Sequence, residues 1–274
     1  MNRGLLERSV REVATVTLLC GLGAMVFEML VAYAIRTFQE QLDQMAGQWL
    51  QLDWVQNMFK GLVGSEIGEQ FGAGALNSLA WVHPVLLTLL WAHEITICTR
   101  VPAGEVDRGT VDVLLGLPAS RWSIYVCETM VWLAAGALVL ALGLVGNRAM
   151  TWLLPSDLGY DYHQAIVVVA NLYCLYLAVG GLALLVSALS DRRGRAVATA
   201  FGIVVASFLL NFLAQFSTPI RNISFLSLLN YYRPLLILRD GGWPSGDMLV
   251  LLITGAVLWL AGGLIFNRRD ICTV

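Results

Sequence analysis

The chain has 274 residues, 58% of them hydrophobic and 13% charged, and its net charge is −2; a soluble domain carries about 25% charged residues. This composition speaks against a water-soluble enzyme, and without a basic excess it gives no reason to expect a nucleic-acid partner. Apolar runs of roughly 20 residues, each enough to cross a hydrocarbon core of about 30 Å, take up most of the length, so no separate catalytic domain is expected.

The chain starts with "RGLLERSVREVATV", which places Leu5, Leu6, Val10 and Val13 on one side of a helix and Arg3, Glu7, Arg8 and Arg11 mostly on the other. It reads either as an amphipathic lead-in to the first span or as an unstructured tail. The apolar run behind it is longer than the ~7–15 residues of a signal-peptide core, and no small-residue cleavage site follows, so it is read as a retained span at 13–36. Further spans are predicted at 79–97, 124–146, 165–189, 196–216 and 248–266. The fold class expected is an all-α polytopic membrane protein with six transmembrane helices in one domain covering 1–274.

Two connections are too long for simple turns. In residues 37–78, Trp49, Leu52, Val55, Phe59 and Leu62 recur at helical spacing opposite Gln51, Asp53, Gln56 and Lys60, which predicts a helix lying on the outer leaflet. Residues 217–247 hold two apolar pieces too short to cross and broken by Pro and Gly, which suits a re-entrant or interfacial hairpin. Six spans put both termini on one side. That side would hold Arg3, Arg8, Arg11, Arg100, Arg108, Arg121, Arg192, Arg193, Arg195, Arg268 and Arg269, eleven of the 17 basic residues. The bias predicts cytoplasmic N- and C-termini.

Between the second and third spans lies "GEVDRGTVDVLLGLPASRW", residues 104–122. A helix over about 102–117 is predicted: Pro102 suits its first turn, and Glu105 and Asp107 suit the positive end of its dipole. Val106, Thr110, Val113, Leu114 and Leu117 would form its apolar ridge, Pro118 would end it, and Ser120 would cap the third span. On these residues alone the helix is either an interfacial anchor or a docking element.

This stretch resembles the signature of the type-2 ABC exporter (ABC-2) permeases: Glu, two residues, Arg-Gly-Thr, an acid one residue on, Leu-Leu, Pro, then Ser-Arg. "HPVLLTLLW", "LLNYYRPLLIL" and "IFNRRDI" follow that family's order and spacing. The resemblance implies a permease subunit of an ABC transporter, with the loop as a coupling helix that docks into a cytoplasmic ATPase subunit. It implies that Glu105, Arg108, Gly109 and Thr110 organise the loop and that Asp112, Leu114 and Leu115 contribute to docking. Two copies of the ATPase would bind ATP and magnesium, and this chain would carry no cofactor. A homodimer or a heterodimer with a related permease is implied, with room for an extracytoplasmic accessory protein, in the cytoplasmic membrane of a bacterium. At Glu128 the sequence departs from the family, where a Lys is common; no role is assigned to it.

No GxxxxGK[ST] loop is present, and the only lysine is Lys60. His83, His93 and His163 come without HExxH or GxSxG, and Cys20, Cys98, Cys127, Cys174 and Cys272 form no CxxC pair, so neither an enzyme nor a metal site is expected. His93 with Glu94 reads as an interfacial polar pair. Glu28, well inside the first span, should face protein or water, and either an interhelical partner or a transport pathway accounts for it. Ser207, Asn211 and Gln215 repeat every four residues on the fifth span, so one face points inward or toward a second subunit. The resemblance places the first and fifth spans at a dimer interface bordering the substrate route, which makes Glu28, Ser207, Asn211 and Gln215 candidates for the pathway or the interface. The alternative function is a proton-coupled secondary transporter using Glu28 and Glu94 with His83, which the lack of an inverted repeat disfavours.

Overall fold

The N-terminal stretch and the first span form one helix, α1 (Arg3–Thr37), in a computed structural model that describes residues 3–37, 52, 80–116, 118–153, 162–234, 236–237 and 241–269. Of the two sequence alternatives, the helical lead-in is the one found. Leu5, Ser9, Val13, Thr17, Gly21, Ala24, Glu28, Ala32 and Ile35 are its buried residues, three or four apart, and form a single stripe down the rod. The opposite face is also apolar, with Leu18, Leu19, Leu22, Val26 and Leu30 all about half exposed or more. Such a face suits lipid rather than water.

The remaining long helices are α2 (Pro84–Cys98), α3 (Arg121–Leu153), α4 (Tyr162–Leu189), α5 (Arg193–Leu213) and α6 (Ser245–Arg268). Five of these six are long and apolar enough to cross a membrane. The exception is α2, whose 15 residues rise only about 22 Å. The expected second span, 79–97, is shortened at its start by Pro84. Its ring removes an amide hydrogen, and the His83 side chain caps the new helix start by accepting from the Val85 amide at 3.2 Å. The proposed outer-leaflet helix in 37–78 lies outside the described residues, apart from the exposed Leu52.

Helix pairs α1/α3 and α4/α6 make the most extensive contacts, and α4 is the most deeply buried helix. Glycine makes both pairs close. A Cβ at Gly146 of α3 would stand 2.2 Å from the Met25 carbonyl oxygen of α1, and one at Gly181 of α4 would stand 2.5 Å from that of Gly255 on α6. Without a hydrophobic driving force between helices in lipid, such close backbone approach is a main source of association. Gly146→Val and Gly181→Val are therefore each expected to cost about 1–3 kcal/mol or more through forced separation, read as a lower unfolding midpoint in detergent.

Beyond α5, the described residues include short helical turns at Thr218–Arg221, Ser224–Leu226 and Leu228–Tyr231. They are sewn to the bundle. The Ser207 hydroxyl accepts from the Leu228 amide at 2.9 Å and the Ser227 hydroxyl donates to the Ser207 carbonyl at 2.8 Å, while the Tyr232 hydroxyl donates to the Trp81 carbonyl at 3.0 Å. Ser207→Ala is expected to lower stability by about 1 kcal/mol, read as faster proteolysis within 217–234.

Candidate functional site

The loop between α2 and α3 is not one helix. It passes through a buried turn, Arg100–Gly104, a single helical turn, Glu105–Asp107, and a second short helix, Val111–Leu115. The break falls at Gly109, which has φ of 68°, a left-handed conformation in which glycine carries no steric cost. The Gly109 amide donates to the Val106 carbonyl and the Thr110 amide to the Glu105 carbonyl, both at 3.0 Å, which closes the turn. The continuous helix predicted over 102–117 is thus corrected to two short pieces that change direction at Gly109. Pro102 lies in the buried turn, not at a helix start. The expected cap on α3 is present, the Ser120 hydroxyl accepting from the Ser123 amide at 3.1 Å.

Glu105 holds the turn together. Its side chain is fully buried, and one carboxylate oxygen accepts from Arg108 at 2.7 Å and from Arg8 of α1 at 2.9 Å. The other accepts from the Thr110 hydroxyl at 2.6 Å. Arg8 also pairs with Glu12 at 2.8 Å. A second cluster sits behind the first: Arg100, almost wholly buried, pairs with both Glu12 of α1 and Glu128 of α3, and the Ser9 hydroxyl donates to Glu128. Three elements therefore meet on alternating charges, and each buried charge has an opposite partner, without which burial would be prohibitive. Glu128, to which the sequence assigned nothing, belongs to this cluster, as do Arg8, Glu12 and Arg100. Their separation along the chain hid the arrangement; the i, i+4 spacing of Arg8 and Glu12 was its one local sign.

Neighbouring groups fix the base of the loop. The Ala103 amide donates to the Ser187 hydroxyl of α4 at 3.3 Å, and Arg193 of α5 donates to the Thr96 carbonyl of α2 at 3.0 Å. Val111 and Leu114 are buried against the bundle. Outward-facing are Asp107, Arg108, Gly109, Thr110, Asp112, Val113 and Gly116, with Val113 74% exposed. The predicted ridge is therefore split, Leu114 lying in the core but Thr110 and Val113 on the outer surface, and of the docking residues implied by the resemblance Asp112 is exposed, Leu115 half-buried and Leu114 buried. The change of direction at Gly109 rotates the second piece, so periodicity carried across it selects the wrong face. Gly109→Ala adds no clash, since nothing lies within 4 Å of its Cβ position, but the left-handed backbone is expected to cost about 1–2 kcal/mol, read as increased hydrogen exchange across 105–116.

Across the bundle at the same end, Arg269 donates to the Ala188 carbonyl at 2.8 Å and the Ser190 carbonyl at 3.2 Å and pairs with Asp191, while Arg121 donates to the Arg269 carbonyl. All eleven arginines counted on the predicted cytoplasmic side belong to this one end of the helices or to the turns joined to it.

The family model described as "ABC-2 family transporter protein" matches residues 9–271. The chain belongs to the ABC-2 transporter family. No curated protein and no solved structure matches it. The ABC-2 protein is therefore membrane-integral, and the signature in its α2–α3 loop coincides with the Glu105 turn just described.

The ABC-2 protein keeps its other polar candidates apart from that loop. Glu28 is fully buried between α1 and α3 and accepts from the Asn147 side chain at 3.0 Å, so it faces protein. Ser207 anchors the turns after α5, while Asn211 is half-buried farther along that helix and Gln215 half-buried in the turn just past its end. Glu28 and the α5 stripe are not brought into one constellation among the described residues. His93 and Glu94 are not an interfacial pair: both are buried, His93 lies within 3.2 Å of the Thr17 and Tyr176 hydroxyls, and the Glu94 oxygens have no partner among the described residues. The bundle closes over the end of α2 that sequence position alone assigned to the membrane surface.

Proposed function

We propose that this chain is the membrane-spanning permease subunit of an ABC exporter and that residues 105–116 are where a separate cytoplasmic ATPase subunit takes hold. One observation carries the reading: an exposed face bearing Asp107, Asp112 and Val113 is mounted on a turn pinned by buried ion pairs to α1 and, through Arg100, to α3. A surface that transmits force has to be accessible on one side and firmly tied on the other. The sequence supports the division of labour, since a chain whose only lysine is Lys60 has no phosphate-loop lysine and ATP hydrolysis falls to another polypeptide. The arginine bias supports a cytoplasmic position for the loop.

In this reading two permease chains and two ATPases make the working unit, with ATP and magnesium held by the ATPases. Closure of the ATPase pair pushes the loop; the Glu105–Arg8 and Arg100–Glu12 pairs pass the displacement to α1, and Arg100–Glu128 passes it to α3. Glu28 and Glu94, on which a proton-driven carrier would depend, are both buried, and no hydrogen bond joins them among the described residues. The test is co-purification of this chain with a cytoplasmic ABC ATPase subunit from its native membranes. Asp112→Lys with Val113→Asp, two changes on exposed positions, is expected to reduce recovered ATPase at least tenfold while the unfolding midpoint holds. Undiminished recovery would remove the loop from the interface, and isolation of a transport-competent protein without any ATPase would overturn the proposal.

A further inference from the structure

Where α4 and α6 end side by side, a cleft of about 470 Å³ is lined by Ala188, Leu189, Leu264, Ile265, Arg268 and Arg269. Its composition is divided by depth. Leu264 and Ile265 lie one turn back along α6 and, with Leu189, make an apolar wall; Leu189 is 59% and Leu264 45% exposed. The arginines stand at the rim. α6 has 24 residues and rises about 36 Å, a full hydrocarbon thickness, so its last turn falls at the headgroup level and the leucines fall at the start of the acyl region.

Arg269 is committed to the fold through the Ala188 and Ser190 carbonyls and Asp191. Arg268, Arg192 on the adjoining α4–α5 connection, and Arg195 on the first turn of α5 are exposed and form no ion pair with a described residue. The lining thus presents the Arg268 guanidinium, unpaired among the described residues, beside an apolar wall, and Arg192 and Arg195 add two exposed guanidinium groups at the same end of the helices.

We propose that this cleft holds an anionic phospholipid, its phosphate at Arg268, one acyl chain along Leu189 and Leu264, and Arg192 and Arg195 adding positive charge at the same end of the helices. Both halves of the site match that ligand class: guanidinium groups bind phosphate oxygens in forked, charge-assisted hydrogen bonds, and the slot is open on its apolar side to the bilayer. A soluble anion would leave the leucine wall unused, and a zwitterionic lipid would leave the arginine excess uncompensated. The site is separate from the loop around Glu105 and does not depend on an ATPase.

The test is native mass spectrometry of the full chain released from nanodiscs containing equal phosphatidylglycerol and phosphatidylcholine. The wild type is expected to retain phosphatidylglycerol preferentially, with the preference falling about fivefold for each arginine removed in Arg268→Gln and Arg192→Gln. Leu264→Asn, which leaves the charges in place, is expected to lower total lipid retention without changing the preference. Arg268 is exposed and outside the fold's ion pairs, so an unchanged unfolding midpoint in Arg268→Gln separates lost binding from lost folding. Equal retention of both lipids by the wild type, or a preference untouched by the arginine changes, overturns the proposal. Displacement of the retained lipid by millimolar inorganic phosphate would also overturn it, by showing a simple anion site.

Discussion

Arg100→Ala is expected to destabilise the protein by about 3–5 kcal/mol, the range for breaking a buried ion pair from one side. The Arg100 side chain is 7% exposed and stands between Glu12 and Glu128, whose side chains are 33% and 13% exposed. Glu12 can rehydrate once the arginine is gone. Glu128 cannot do so fully, because it also lies against Ser9 on the α1/α3 interface, and most of the loss falls there. The double variant Arg100→Ala with Glu128→Leu should recover part of that loss, since it removes the stranded charge together with its partner. A double-mutant cycle in denaturant checks this, with the coupling expected to be the larger share of the effect. Additive single effects would mean that the pair contributes little.

Glu105→Ala should behave differently. Its two arginine partners are 39% and 51% exposed, so both regain water when the carboxylate is removed, and a stability loss of only about 1–3 kcal/mol is expected. The local consequence is much larger. Arg8, Arg108 and Thr110 lose their common acceptor at once, and the turn is no longer fastened to α1. ATPase capture and permease-dependent stimulation of ATP hydrolysis are expected to fall at least tenfold, with the helical circular dichroism unchanged. Glu105→Gln keeps an acceptor for Thr110 and should retain an intermediate level. A purely structural role would instead make capture follow the unfolding midpoint across both variants and Gly146→Val.

The helices were largely legible because hydropathy in lipid is a composition effect: spans expected at 165–189, 196–216 and 248–266 correspond to Tyr162–Leu189, Arg193–Leu213 and Ser245–Arg268. The shortening of α2 was legible too, in the His83-Pro84 pair, but an apolar count passes over a proline. The loop was legible as a motif and illegible as a shape. Gly109 alone changes its direction, and a periodicity read through that residue puts Thr110 and Val113 on the same apolar ridge as the buried Leu114. The ion-pair cluster was least accessible: Glu105 is 97 residues from Arg8, and Arg100 is 88 from Glu12. Nothing in local sequence joins them; the antiparallel return of the helices does.

The fastenings between α1 and α3 fall at three heights: Ser9 on Glu128 at the charged end, Gly146 against the Met25 backbone midway, and the Arg36 guanidinium on the Met150 carbonyl at the far end, at 3.1 Å. Two rods tied at three levels have no sliding or splaying motion left to them. The glycine contacts of Gly181, Gly255 and Gly262 bind α4 and α6 over about two turns, and Arg269 on the Ala188 carbonyl adds a tie at the charged end. The molecule is thus divided into two stiff double-helix blocks, with α2 at the seam between α1 and α4, and α5 packed against α4 and α2. Any change in access across the membrane has to open at that seam or between whole chains, and cross-links placed within either block should leave it untouched.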